Sequence, residues 1–153
     1  MISTDQIKEL RDRTGISIAQ CKKALEETGG DIDKSLATLR AKGAEIADKK
    51  SGREIKAGTI GSYVHATGTL GAIVELDSET DFVSKNVEFK NLADDLAMHI
   101  VACAPTTTEE LLAQEYIKDP SQTIDALIKG LTQKFGERII ISRFSRFDIS
   151  DAR

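Results

Sequence analysis

Asp77, Glu79 and Asp81 place three carboxylates within five residues, a set that could hold a hard cation or pass a proton to and from a substrate. Their spacing is not that of a calcium-binding helix-loop-helix, and no glycine among them supplies the sharp turn such a loop needs. An acid/base site would require the three to converge in a pocket that perturbs them. The rest of the chain offers little competing chemistry: it has no phosphate-binding glycine loop, no nucleophile elbow and no H-E-x-x-H pair. His65 and His99 stand alone, without a ligand-spaced neighbour, and Cys21 and Cys103 fall in separate helical patterns. Neither a zinc site nor a disulfide framework is expected from them, and no cofactor is implied.

One residue beside the carboxylates does not fit a solvated turn. Phe82 is one of only five phenylalanines in 153 residues, and the run Ser78-Glu79-Thr80-Asp81-Phe82-Val83-Ser84-Lys85-Asn86 sets it among charges between an apolar strand and an amphipathic helix. Either the segment folds back onto the core or Phe82 is offered to another molecule.

The elements that must position this segment change character along the chain. Ser3 with Gln6 and Ser17 with Gln20 are two S-x-x-Q capping boxes, each with a hydrophobic staple, Ile2 with Ile7 and Ile16 with Cys21. Gly15 and Gly29-Gly30 are stops, Asp31 caps a third helix, and Gly43 is expected to close it. Residues 1–43 therefore read as a three-helix module with a small core around Leu10, Leu25 and Leu39. Residues 44–56 are charged and read as a linker. From 57 the period shifts to two: residues 57–66 and 69–77 form a hairpin turning at Thr67-Gly68, with Leu70, Ala72, Val74 and Leu76 on one face. A helix follows over 88–104, with Phe89, Leu92, Ala93, Leu96, Ala97 and Ile100 as its apolar stripe and Pro105 as its end. A helical turn at 109–114 and a helix from Ile124 to near Gly136 precede a third strand over 138–147, added to the hairpin. The fold class is α+β, with residues 57–150 as a core of three-stranded antiparallel sheet packed with helices.

Charge limits the partners. Residues 1–56 carry twelve Lys/Arg against ten Asp/Glu, and the remainder nine against fifteen, so neither part presents the concentrated basic face that phosphate binding requires. Direct nucleic-acid binding is not expected. No apolar run approaches the roughly 20 residues of a membrane span, and the polar, pre-helical start at Met1–Asp5 lacks the form of a signal peptide. The expected location is cytoplasmic.

Residues 10–43 closely resemble the N-terminal module of translation elongation factor Ts, and Glu79-Thr80-Asp81-Phe82-Val83 resembles that family's signature loop. Residues 96–100, 116–123 and 135–147 resemble its later segments in the same order, so the likeness runs through nearly the whole chain. The resemblance implies a ubiquitin-associated-like helical module, an α+β core and a guanine nucleotide exchange factor for the GTPase elongation factor Tu, with no enzymatic chemistry of its own. It implies that Asp81 and Phe82, flanked by Thr80 and Val83, enter the GTPase near its magnesium and phosphate site. It further implies that Arg11, Ile18 and Ala19 dock the N-terminal module, and that Tyr63 and His65 belong to a sheet surface that meets a second domain of the partner. Family members commonly carry a longer helical insertion where this chain has only residues 106–113, and the short, single-core forms tend to self-associate. Monomer and homodimer both remain open at this point. The competing reading is a helix-binding adaptor that uses the three-helix module, to which the 79–86 segment would be superfluous.

Overall fold

The computed structural model describes residues 1–151 and divides into two compact units, one of residues 1–52 with 129–136 and one of residues 53–128 with the chain from Glu137 onward. In the first unit, helix α1 (Thr4–Thr14) begins with the full reciprocal box: the Gln6 N–H donates to Ser3 Oγ at 3.1 Å and the Ser3 N–H to Gln6 Oε1 at 2.8 Å. Two of the first turn's four orphan donors are thereby satisfied. The helix ends at Gly15, whose φ of 69° lies in the left-handed region open to glycine without a Cβ penalty. Helix α2 (Ile18–Glu27) has only half of its expected box. Ser17 Oγ accepts from the Gln20 N–H, but the Gln20 carboxamide turns away and accepts from Gln133 Nε2 at 3.2 Å. The Gly30 N–H then closes α2 by donating back to the Leu25 carbonyl at 2.9 Å.

Helix α3 (Ile32–Lys50) is capped by Asp31, as its spacing predicts, but it does not stop at Gly43. Gly43 is a buried interior residue, and a Cβ there would stand 2.7 Å from Gln133 Oε1. The glycine admits a neighbour; it does not break the helix. The core of the three helices is Leu10, Ile16, Cys21, Ala24, Leu25 and Leu39, extended by the half-buried Ile2, Ile7, Ile32 and Leu36. Burial raises the Cys21 thiol's pKa, so this cysteine serves as a small apolar side chain.

The second unit is built on strands β1 (Ala57–Val64) and β2 (Leu70–Ser78), whose antiparallel register pairs Gly61 with Val74. Helices α4 (Asp81–Ser84), α5 (Val87–Cys103) and α6 (Thr108–Ala113) follow, then the small hairpin β3 (Glu115–Tyr116) and β4 (Asp119–Thr123). Helix α7 (Ile124–Phe135) leads to β5 (Ile140–Asp148), which joins the outer side of β2 to give the antiparallel order β1-β2-β5.

Period-two alternation divides the sheet's faces. Ala72, Val74 and Leu76 are buried, and Phe89, Ala93, Leu96, Ala97 and Ile100 of α5 are buried with them. The opposite face carries Ile60, Val64, Ile73 and Phe147, all exposed, with Phe147 at 70%. Strand β1 is an edge, but α5 closes part of it: Lys90 Nζ donates to the Ile60 carbonyl and Asp94 Oδ1 accepts from the Ser62 N–H at 3.0 Å. The end of α5 is fixed by Ala104 at φ 46° followed by Pro105. His99 of α5 is fully buried; its Nδ1 accepts from the Ile117 N–H at 3.1 Å, which leaves Nε2 to donate to Gln114 Oε1 at 3.0 Å. The imidazole thus ties α5 to the segment entering the β3–β4 hairpin. Among the described residues, no helix is long and apolar enough to cross a membrane.

Candidate partner-binding site

The segment after β2 is held from both ends. Ser78 is fully buried, and its hydroxyl donates to the Thr80 carbonyl at 3.0 Å. Thr80 has the extended backbone of a helix N-cap, φ −131° and ψ 159°, yet its side chain does not cap α4. Instead its N–H donates to Glu137 Oε1 at 3.0 Å and its hydroxyl to Glu137 Oε2 at 2.6 Å. The neighbouring pair runs the opposite way: the Arg138 N–H donates to Glu79 Oε2 at 2.5 Å, and Glu79 Oε1 lies 3.6 Å from the Arg53 guanidinium. Arg138 in turn donates from its guanidinium to the Arg53 carbonyl at 2.8 Å. Adjacent residues on the two segments therefore exchange carboxylate-to-backbone hydrogen bonds, which are stronger than neutral ones because the acceptor is charged.

This base carries α4, a single helical turn that sequence patterning does not predict. Four residues are too few for a stable isolated helix, so the turn depends on what it buries. Val83 is 7% exposed and Ser84 is buried, while Phe82 between them and Asp81 is 92% exposed. Burying the ring would remove a large apolar area from water, and the turn instead directs it outward. At the far end, Asn86 Oδ1 accepts from the Glu88 N–H at 2.8 Å and starts α5. Val87, 73% exposed, adds a second apolar side chain next to the loop.

The three carboxylates that opened the chemical question serve different ends. Asp77 is buried on β2 and accepts from the Ser142 hydroxyl. Burial, and then the hydrogen-bonded Glu75 beside it, push the Asp77 carboxyl's pKa up, while Glu75, bonded to Asp77 and paired with Arg143 at 3.0 Å, is held below the usual carboxylate range. Glu79 belongs to the clamp, and Asp81 stands exposed at the start of α4. Among the described residues, no three His, Cys, Asp or Glu side chains are grouped so as to hold a metal ion.

The remaining residues fall in two places, each within its own unit. Arg11 lies exposed in the last turn of α1, and Ile18 and Ala19 are exposed in the first turn of α2, with Ile18 at 54%. They flank the α1–α2 corner. Tyr63 and His65 sit at the end of β1, where the Tyr63 hydroxyl and His65 Nδ1 are 3.1 Å apart and the rings lie 6.2 Å centre to centre. Tyr63 pairs with Ala72 and so shares the sheet face covered by α5, at half-burial; His65 is exposed beyond the strand. Sequence reasoning did not single out Glu137 and Arg138, which support the loop from 57 and 59 residues away. The only signal was their place in the run that follows α7.

Comparison with known proteins gives these elements a context. A family model described as Elongation factor TS matches residues 79–153. The chain is similar to the Elongation factor Ts of Clostridium kluyveri, 44% identical over 150 residues that make up 98% of this chain and 49% of that one. It is similar to that of Aquifex aeolicus at 43% over 155 residues, covering 98% of this chain and 53% of the relative. It thus spans about half the length of these relatives. Against the Elongation factor Ts of Herpetosiphon aurantiacus the likeness is end to end, 39% identical over 193 residues, covering 97% of this chain and 98% of the other.

Proposed function

This chain belongs to the elongation factor Ts family, and on that premise we propose that it acts in translation elongation as a guanine nucleotide exchange factor, promoting release of GDP from the GTPase elongation factor Tu. The observation that carries this reading is the exposure of Phe82 on a turn whose neighbours are buried or tied down. An aromatic ring held in water by a fixed platform favours a role in binding, because its free energy is gained only when a partner covers it.

The mechanism needs no covalent step. A factor that binds the nucleotide-free GTPase more tightly than the GDP-bound form must weaken GDP by the same ratio. Phe82 entering the GTPase beside its magnesium and phosphate site supplies that difference in affinity, and the Asp81 carboxylate next to it competes for groups that support the metal and phosphates. Val83, being buried, contributes as the anchor of the turn, and Thr80 as its fixed entry point. Arg11, Ile18 and Ala19 dock the N-terminal helices on the GTPase, and Tyr63 with His65 meets a second domain of the partner. The reading places the protein in the cytoplasm, where that partner works, and calls for no contact with nucleic acid. The exposed Ile60, Val64, Ile73 and Phe147 on the open sheet face support a homodimer, to be tested by sedimentation across a concentration series.

The deciding experiment is release of a fluorescent GDP analogue from elongation factor Tu with and without this protein. Acceleration that saturates with concentration supports the reading. An unchanged rate at micromolar protein refutes it.

A further inference from the structure

We infer that Glu137 is a positioning residue for exchange: through Thr80, and together with the reciprocal Glu79–Arg138 bond, it fixes the orientation in which α4 presents Phe82. The inference rests on the exchange reading and adds to it a residue far along the chain from the loop.

The geometry separates this role from ordinary loop closure. A threonine at a helix N-cap usually turns its oxygen to accept a backbone N–H of the first turn, which stabilises that helix locally. Thr80 occupies the N-cap but gives up that bond, donating its hydroxyl and its N–H to the two oxygens of a single carboxylate. A two-point tie of this kind sets the side-chain rotamer and the backbone direction together, whereas a cap bond would leave the turn free to swing as a body. Glu79, one residue earlier, is fixed in the opposite sense by the Arg138 N–H, and Arg53 lies on its second oxygen. Rotation about either segment breaks at least one bond of the pair. The turn's other supports are the Ser78 hydroxyl on the Thr80 carbonyl at its base and the buried Val83 and Ser84, which fix its depth. They leave its heading to the clamp. A ring whose direction is set before binding does not have that ordering cost charged against the complex.

Glu137→Ala, Glu137→Gln and Thr80→Val, with the double variant Glu137→Ala/Thr80→Val, test this by fluorescent-GDP release from elongation factor Tu, by hydrogen exchange at the Thr80 amide and by thermal melting. Loss of charge-assisted bonds to the loop should lower the saturating release rate of Glu137→Ala roughly tenfold. Because docking elsewhere is untouched, the half-saturating concentration should move by no more than about twofold. The Thr80 amide should lose protection, Glu137→Gln, which keeps an oxygen for that amide, should recover most of the rate, and the double variant should be no slower than Glu137→Ala alone. If Glu137→Ala melts too low to assay, Thr80→Val and Glu137→Gln decide: the first must slow release and the second must not. Wild-type protein that fails to release GDP overturns the exchange reading. Active wild-type protein with an unimpaired Glu137→Ala, or losses from Glu137 and Thr80 that simply add, overturns this inference alone.

Discussion

Gly61 of β1 lies directly against Ala93 of α5: a Cβ on the glycine would stand 2.7 Å from the Ala93 Cβ and closer still to that residue's carbonyl. Backbone cannot yield as a long side chain does. Gly61→Ala should therefore push helix and sheet apart and destabilise the protein by about 1–3 kcal/mol, the usual range for overpacking a filled core. Urea denaturation reads this directly, and an unchanged midpoint would mean that α5 can shift at no cost.

The same interface gives a second expectation from the opposite change. Leu96 is fully buried on the sheet-facing side of α5, so Leu96→Ala should cost about 2–5 kcal/mol through lost burial and the cavity left behind. A loss under about 0.5 kcal/mol, typical of surface sites, would place the stripe elsewhere.

Phe82→Ala should separate stability from function. With the ring 92% exposed, its removal should change stability by no more than about 0.5 kcal/mol, as at ordinary surface positions. Nucleotide release should slow about tenfold or more, since a buried interface anchor is worth roughly 2 kcal/mol and 1.4 kcal/mol is a factor of ten. Asp81→Ala should act in the same direction more weakly, being screened by water and salt. A large melting shift with normal exchange would contradict the assignment.

Acid should act through His99. Burial holds its pKa below the ordinary 6.5, with the Gln114 hydrogen bond opposing, so the folded imidazole stays neutral where the unfolded one takes up a proton. The unfolded state then binds more protons, and stability is complete above about 6.5 and falls as pH drops toward the folded value. The unfolding midpoint should fall less between neutral and mildly acidic pH in His99→Gln than in the natural chain. Equal slopes would show that His99 does not titrate differently on folding.

The features legible in the sequence are those whose causes are local. Ser3, Asp31 and Pro105 act on backbone a few residues away, and the stripe of α5 and the alternation in β2 follow from periodicity alone. The misreadings share a different cause. Gln20 has the spacing of a cap partner but takes Gln133 instead, and Gly43 looks like a stop but accommodates that same residue. No local rule contains Gln133. The β3–β4 hairpin escapes because one strand is two residues long and the other holds Pro120, too little for a period. At the candidate site, Phe82 is conspicuous through its misfit with its neighbours, whereas Glu137 resembles any surface glutamate until the fold brings it to Thr80.

The two α5 side chains on the rim of β1 have a further consequence. A strand at the margin of a sheet offers unpaired carbonyls and amides to any extended chain that drifts past, and such templating underlies fibril growth. Lys90 and Asp94 already occupy the outward carbonyl of Ile60 and the outward amide of Ser62. An incoming strand would have to displace an ammonium and a carboxylate before gaining its first bond. The chain's resistance to ordered aggregation along this margin thus resides in two charges on a helix, and substitutions there should shorten the protein's shelf life in concentrated solution while leaving its folded state intact.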